Sequence, residues 1–149
     1  MLLVVAITIA ACTRPEALPT AVTATPPAAG WHAGTALRLK PHYGDSTRHY
    51  DLRLDVRHTT AYRYRDLHLL VDLIGDSGKV TRRVVNLELA DGYGNWTGSG
   101  FGTLYQHSAI LAANVAPSQA RTVAVWQTMD SVPNLTGLDA IGVTAFPIF

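Results

Sequence analysis

Between Tyr50 and Thr59 the chain alternates without a break. Tyr50, Leu52, Leu54, Val56 and His58 fall on one side, and Asp51, Arg53, Asp55, Arg57 and Thr59 on the other. A period of two is the repeat of a β-strand, whereas the apolar stripe of an amphipathic helix recurs about every 3.6 residues. One face of this strand must be buried and the other wet, so a second layer has to cover the first. The charges on the polar face alternate in sign, which suits a strand with neighbours on both sides.

The rest of the chain repeats that pattern in shorter pieces. Leu67–Ile74 and Val80–Ala90 are apolar runs, the second with Val85, Leu87 and Leu89 on one face, and Gly75-Asp76-Ser77-Gly78 between them reads as the turn of a β-hairpin. Further strand candidates are Ala36–Lys40, Ser108–Ala113, Thr122–Met129 and Ala140–Pro147. No window shows a capped helical stripe. With 149 residues there is room for one domain with a core of its own. Short strands with regular turn signals predict an all-β fold, an antiparallel β-sandwich of about seven or eight strands, over residues 31–149.

The N-terminal region is built differently. Residues 1–11, MLLVVAITIAA, are apolar apart from Thr8, and far shorter than the ~20 residues that span a bilayer. They match the apolar core of a secretory signal, although no Lys or Arg precedes it. Ile9-Ala10-Ala11-Cys12 resembles the bacterial lipobox, which makes Cys12 the candidate lipidation site and residues 1–11 a lipoprotein signal peptide. Cys12 is the sole cysteine, so neither an intrachain disulfide nor a Cys-rich zinc site can form. Residues 13–30, rich in Pro, Ala and Thr, offer little apolar surface to offset ordering entropy and are expected, with Cys12, to be a tether over 12–30. The alternative for the leader is a buried N-terminal strand with a free core thiol, and the adjoining Pro/Ala/Thr stretch argues against it. Thr13 follows the cysteine, with no Asp beside it and no acidic cluster beyond, so an outer-membrane lipoprotein facing the periplasm is expected.

Few chemistries fit what remains. Twelve basic side chains against 11 acidic ones, scattered along the chain, give no field to draw it onto nucleic acid. The six histidines, His32, His42, His49, His58, His68 and His107, show no HxH or HExxH spacing, so no metal and no cofactor is expected. His58 reads as an inward strand residue with a polar partner, and His68 as an outward one. Gly98-Ser99-Gly100 lacks the strand-to-helix setting of a nucleophile elbow, and the carboxylates fall in turns or on polar faces; no catalytic constellation emerges. The segment that stands out is Leu89–Tyr105, where five glycines interleave with Tyr93, Trp96, Phe101 and Tyr105. Glycine permits tight backbone approach and the rings supply contact area. Such a loop either folds its aromatics onto the sandwich edge or displays them as a recognition surface for a carbohydrate or a protein.

Taken in order, Leu54-Asp55-Val56-Arg57-His58, Tyr62-Arg63-Tyr64-Arg65-Asp66-Leu67, the run from Asp91 to Gly100 (DGYGNWTGSG), Gln127-Thr128-Met129 and the run from Leu138 to Val143 resemble the gliding motility lipoprotein GldH family, from about Trp31 to Phe146. That resemblance implies an envelope lipoprotein of gliding Gram-negative bacteria, not an enzyme, acting with other gliding motility proteins in machinery linked to type IX secretion. It implies no ligand and no site residue beyond Cys12 as the point of attachment to the membrane.

Overall fold

The computed structural model describes residues 17–149, an all-β sandwich. Among the described residues eleven strands occur in chain order: β1 Thr20–Ala24, β2 Trp31–His32, β3 Leu37–Leu39, β4 Tyr50–Thr59, β5 Asp66–Ile74, β6 Val80–Glu88, β7 Ser99–Phe101, β8 Leu104–Val115, β9 Thr122–Gln127, β10 Asn134–Leu135 and β11 Leu138–Pro147. Seven of them, β1, β4, β5, β6, β8, β9 and β11, have five residues or more. One sheet has the order β1-β11-β4-β8-β7 and the other β3-β9-β5-β6, while β2 and β10 form a small ladder. Every pairing is antiparallel.

The alternation of β4 is realised as predicted. Tyr50, Leu52, Leu54, Val56 and His58 are buried, and the intervening residues are partly or fully accessible. Ile141, Val143 and Ala145 of β11 lie beside Val56, Leu54 and Leu52 and extend the same apolar face. Leu67, Leu69 and Val71 of β5, with Val123 and Val125 of β9, supply the opposing face. The β5–β6 hairpin turns where Gly75–Gly78 was expected: the Gly75 N–H donates to Lys79 O at 2.9 Å and Gly78 takes φ +79°.

Three expectations change. The tether predicted over 12–30 is interrupted by β1, whose Thr20–Ala24 pairs with Ala145–Ile141. A stretch too poor in apolar residues to fold alone becomes ordered because the β11 edge offers it a ladder of backbone hydrogen bonds. The strand expected over Ser108–Ala113 runs instead from Leu104 to Val115, and the one over Val80–Ala90 stops at Glu88. Leu89 and Ala90 leave the ladder, both donating to Arg65 O, and remain buried. The leader and Cys12 lie outside the described residues.

The wet face of β4 is not simply solvated. Asp55 accepts from Arg53 Nε at 2.7 Å, from Ser108 Oγ on β8 at 2.7 Å and from Thr144 Oγ1 on β11 at 2.6 Å. One carboxylate thereby ties three strands together. Because Leu54 is fully buried at the centre of the opposite face, Leu54→Ala is expected to destabilise the domain by about 2–5 kcal/mol. Urea unfolding followed by tryptophan fluorescence would show this as a lower midpoint at unchanged slope.

Candidate functional site at the glycine-rich end of the sandwich

The segment from Leu89 to Tyr105 closes one end of the sandwich. It leaves β6 through a turn organised by Asp91, whose Oδ1 accepts from the Tyr93 N–H at 2.9 Å and the Asn95 N–H at 3.0 Å. The Asn95 N–H above all holds the Asp91 carboxyl below the usual carboxylate range; burial opposes it, and the Tyr93 N–H, Asn95 Nδ2 and Arg65 add to the lowering. Gly94 completes the turn at φ +82°, a conformation that favours glycine. Thr97 then pins the returning chain, donating from its N–H at 3.0 Å and its hydroxyl at 3.2 Å to Leu89 O. Beyond it, β7 pairs with the start of β8, Ser99 opposite Gln106 and Phe101 opposite Leu104.

Beneath this loop lies His58, the last inward residue of β4, with no exposed surface. Its Nδ1 is 3.0 Å from Thr59 O and donates to that carbonyl. Nε2 has no partner, and neither does the buried Nε2 of His107. Four rings surround the imidazole of His58: Trp96 at 4.6 Å between centroids, Tyr105 at 5.5 Å, His107 at 5.6 Å and Tyr62 at 5.7 Å. Tyr62 is anchored by its hydroxyl, which donates to Asp66 O at 2.7 Å. Burial pushes that hydroxyl's pKa well up, and it stays protonated.

Gly98 explains why the segment is rich in glycine. A Cβ there would lie 2.5 Å from His107 Nε2 and 2.6 Å from Gln106 O, so the backbone itself forms the wall over the imidazole. On the outer side, Arg57, Ser99, Gly100, Leu104, Tyr105 and Gln106 line an open groove of about 490 Å³.

Of the aromatics singled out from the sequence, Trp96 and Tyr105 lie together and Tyr93 stands apart from them. Trp96 and Tyr105 are half-buried, 6.1 Å apart between centroids, and both pack on His58. Tyr93 stands at the tip of the loop, 94% exposed. Phe101 contributes its backbone to the β7–β8 pairing. The imidazole pair that organises the cluster was legible only in part: the alternation of β4 put His58 inward, but nothing in the local pattern linked it to His107. Among the described residues no group of three or more His, Cys, Asp or Glu side chains could hold a metal ion.

Burial first, and the neighbouring His58 second, lower the pKa of His107 from its ordinary 6.5. The folded protein therefore takes up this proton less readily than the unfolded chain. The resulting stability is fully present above 6.5 and drains away as the pH falls from there through the lowered folded value. Thermal melts of the wild type and His107→Gln across that window check this. The wild type is expected to lose stability more steeply with acidification; parallel slopes would show that His107 contributes nothing.

Comparison with known proteins places the whole sandwich in one family. A family model described as GldH lipoprotein matches residues 21–145, from within β1 to within β11. The gliding motility lipoprotein GldH homolog of Christiangramia forsetii is 28% identical over 120 residues, covering 75% of this chain and 74% of that protein. Among solved structures, the infectious bursal disease virus VP2 subviral particle matches at 15% identity over 87% of this chain and 32% of its own, with a TM-score of 0.37. The tobacco streak virus coat protein dimer matches at 12% identity over 88% of this chain and 87% of its own, also with a TM-score of 0.37. Similarity at that level bears on neither fold nor function. The family match extends over the core of both sheets and the loop covering His58, and the chain belongs to the GldH lipoprotein family.

Proposed function

We propose that this protein is a non-enzymatic component of the bacterial gliding machinery, anchored through an acylated Cys12 to the periplasmic side of the outer membrane and working with other motility proteins linked to type IX secretion. The observation that carries the reading is the family match over residues 21–145, together with a relative named as a gliding motility lipoprotein. A structural role is supported by how the histidines at the glycine-rich end are used. His58 packs on Tyr62, Trp96 and Tyr105 and bonds the Thr59 carbonyl, and His107 lies against His58 and the Gly98 backbone; neither histidine is hydrogen-bonded to a carboxylate that could orient it for proton transfer. Changing Cys12→Ala is expected to abolish metabolic labelling with palmitate, release the protein from the membrane fraction and stop colony spreading on agar. A deletion strain that spreads normally would refute the assignment to gliding.

A second reading, recognition of a glycan or a protein surface by residues 91–105, is favoured by one observation, the exposed ring of Tyr93. Because Trp96 is spent on packing His58, this reading expects Tyr93→Ala to abolish saturable binding on a glycan array while Trp96→Ala chiefly lowers the melting temperature. Silence of the wild type on the array would remove the glycan form of it.

A further inference from the structure

The chain enters the five-stranded sheet at Thr20, opposite Ala145, and so arrives where β11 finishes and β4 begins, with Pro147 beside Tyr50. This end lies across the sandwich from the His58 cluster, which packs where β4 finishes. It is apolar on the outside: Leu18 is 75% exposed, Phe149 74% and Ile148 38%. Leu18 and Phe149, with Pro19, Phe146 and Pro147, border a shallow hollow of about 340 Å³. Two guanidinium groups roof the rings, Arg48 at 4.7 Å from the Phe149 centroid and Arg53 at 4.8 Å from that of Phe146. Exposed aliphatic and aromatic groups beside arginine stems suit the boundary between lipid headgroups and acyl chains, where rings bury apolar area; the two guanidinium groups also hold carboxylates, Arg48 that of Asp45 at 3.3 Å and Arg53 that of Asp55 at 2.7 Å.

Chain length supplies the second argument. Cys12 precedes Leu18 by six residues, and an extended chain spans at most ~3.3–3.6 Å per residue, so the two lie within about 22 Å of each other in any conformation. An acyl anchor on Cys12 would hold the patch permanently near the membrane surface, and contact becomes an intramolecular event at high effective concentration.

We propose that the end of the sandwich bearing Leu18, Ile148 and Phe149 docks on the phospholipid bilayer, so that the domain stands on the membrane with the Tyr93 loop at its far end. This rests on the reading that Cys12 is lipidated. It is tested on the acylated full chain, reconstituted in phosphatidylethanolamine/phosphatidylglycerol vesicles that carry a nitroxide quencher at headgroup depth. An environment-sensitive fluorophore is attached at Ile148→Cys or, at the opposite end, at Tyr93→Cys. Quenching is expected to be several-fold stronger at position 148 than at 93, and the difference should vanish when Leu18→Asp and Phe149→Asp are added. Equal quenching at both positions, in protein that still floats with the vesicles, overturns docking and leaves lipidation intact. A mass spectrum showing unmodified Cys12 in protein from its native host overturns both.

Discussion

The structure depends on the burial of one face of β4. Leu52, Leu54 and Val56 sit at the middle of the five-stranded sheet, with β11 and β8, both distant in sequence, beside them, and the next strand β5 together with the distant β9 across the core. Each such side chain contributes roughly 1.5–3 kcal/mol when removed from water. The register is correspondingly strict, because a slip of one residue would drive Arg53 and Asp55 into the core and expose the leucines. Asp55 reinforces that register from the outside. Its bonds to Ser108 and Thr144 can form only when β8 and β11 are both correctly aligned on β4. With partners as far apart as Leu104 and Pro147, the sheet is assembled from non-local contacts, which places its folding at the slow end for a domain of this size.

Where the leucine pattern of β4 ends, the same face carries an imidazole. His58 satisfies one nitrogen on the next carbonyl and leaves the other bare, a situation that ordinarily costs about 1–3 kcal/mol for a buried polar atom. Trp96, Tyr105 and Tyr62 offset this with ring contacts on His58, and the glycine backbone closes over His107. Glycines and aromatics in this segment are therefore two halves of one arrangement. The rings fill space around an imidazole pair, and Gly98 lets the chain come close enough to seal it.

How far the sequence disclosed this fold depended on how strongly each segment is two-faced. Tyr50–Thr59 has one dry face and one wet one, and its limits coincide with β4. Leu67–Ile74, an apolar run, and the Gly75–Gly78 turn, marked by glycine and aspartate, emerge nearly as cleanly. By contrast, β8 is partly accessible along most of its length, so its ends leave no periodic mark and only Ser108–Ala113 stands out. β1 is invisible for a different reason. Threonine and alanine flanked by prolines look like a linker, and the bonds that order it belong to the edge of β11, over a hundred residues away. The aromatic segment was legible as a composition but not as a geometry, since what turns Trp96 and Tyr105 inward is a histidine on another strand.

The two ends of the molecule follow from these pairings. In an antiparallel sandwich every connection falls at one end or the other, and the strand polarity decides which. β1, antiparallel to β11, delivers the N-terminal segment to the end where Tyr50 begins β4; β4 then runs ten residues, on the order of 33 Å at ~3.3 Å per residue, to His58 and Thr59. The Asp91–Gly98 loop folds over that far end, tied to Leu89 by Thr97 and to His107 by Gly98. The described chain therefore starts at the end of the sandwich opposite the glycine and aromatic loop. The edge strand that resembled a linker is what fixes that polarity.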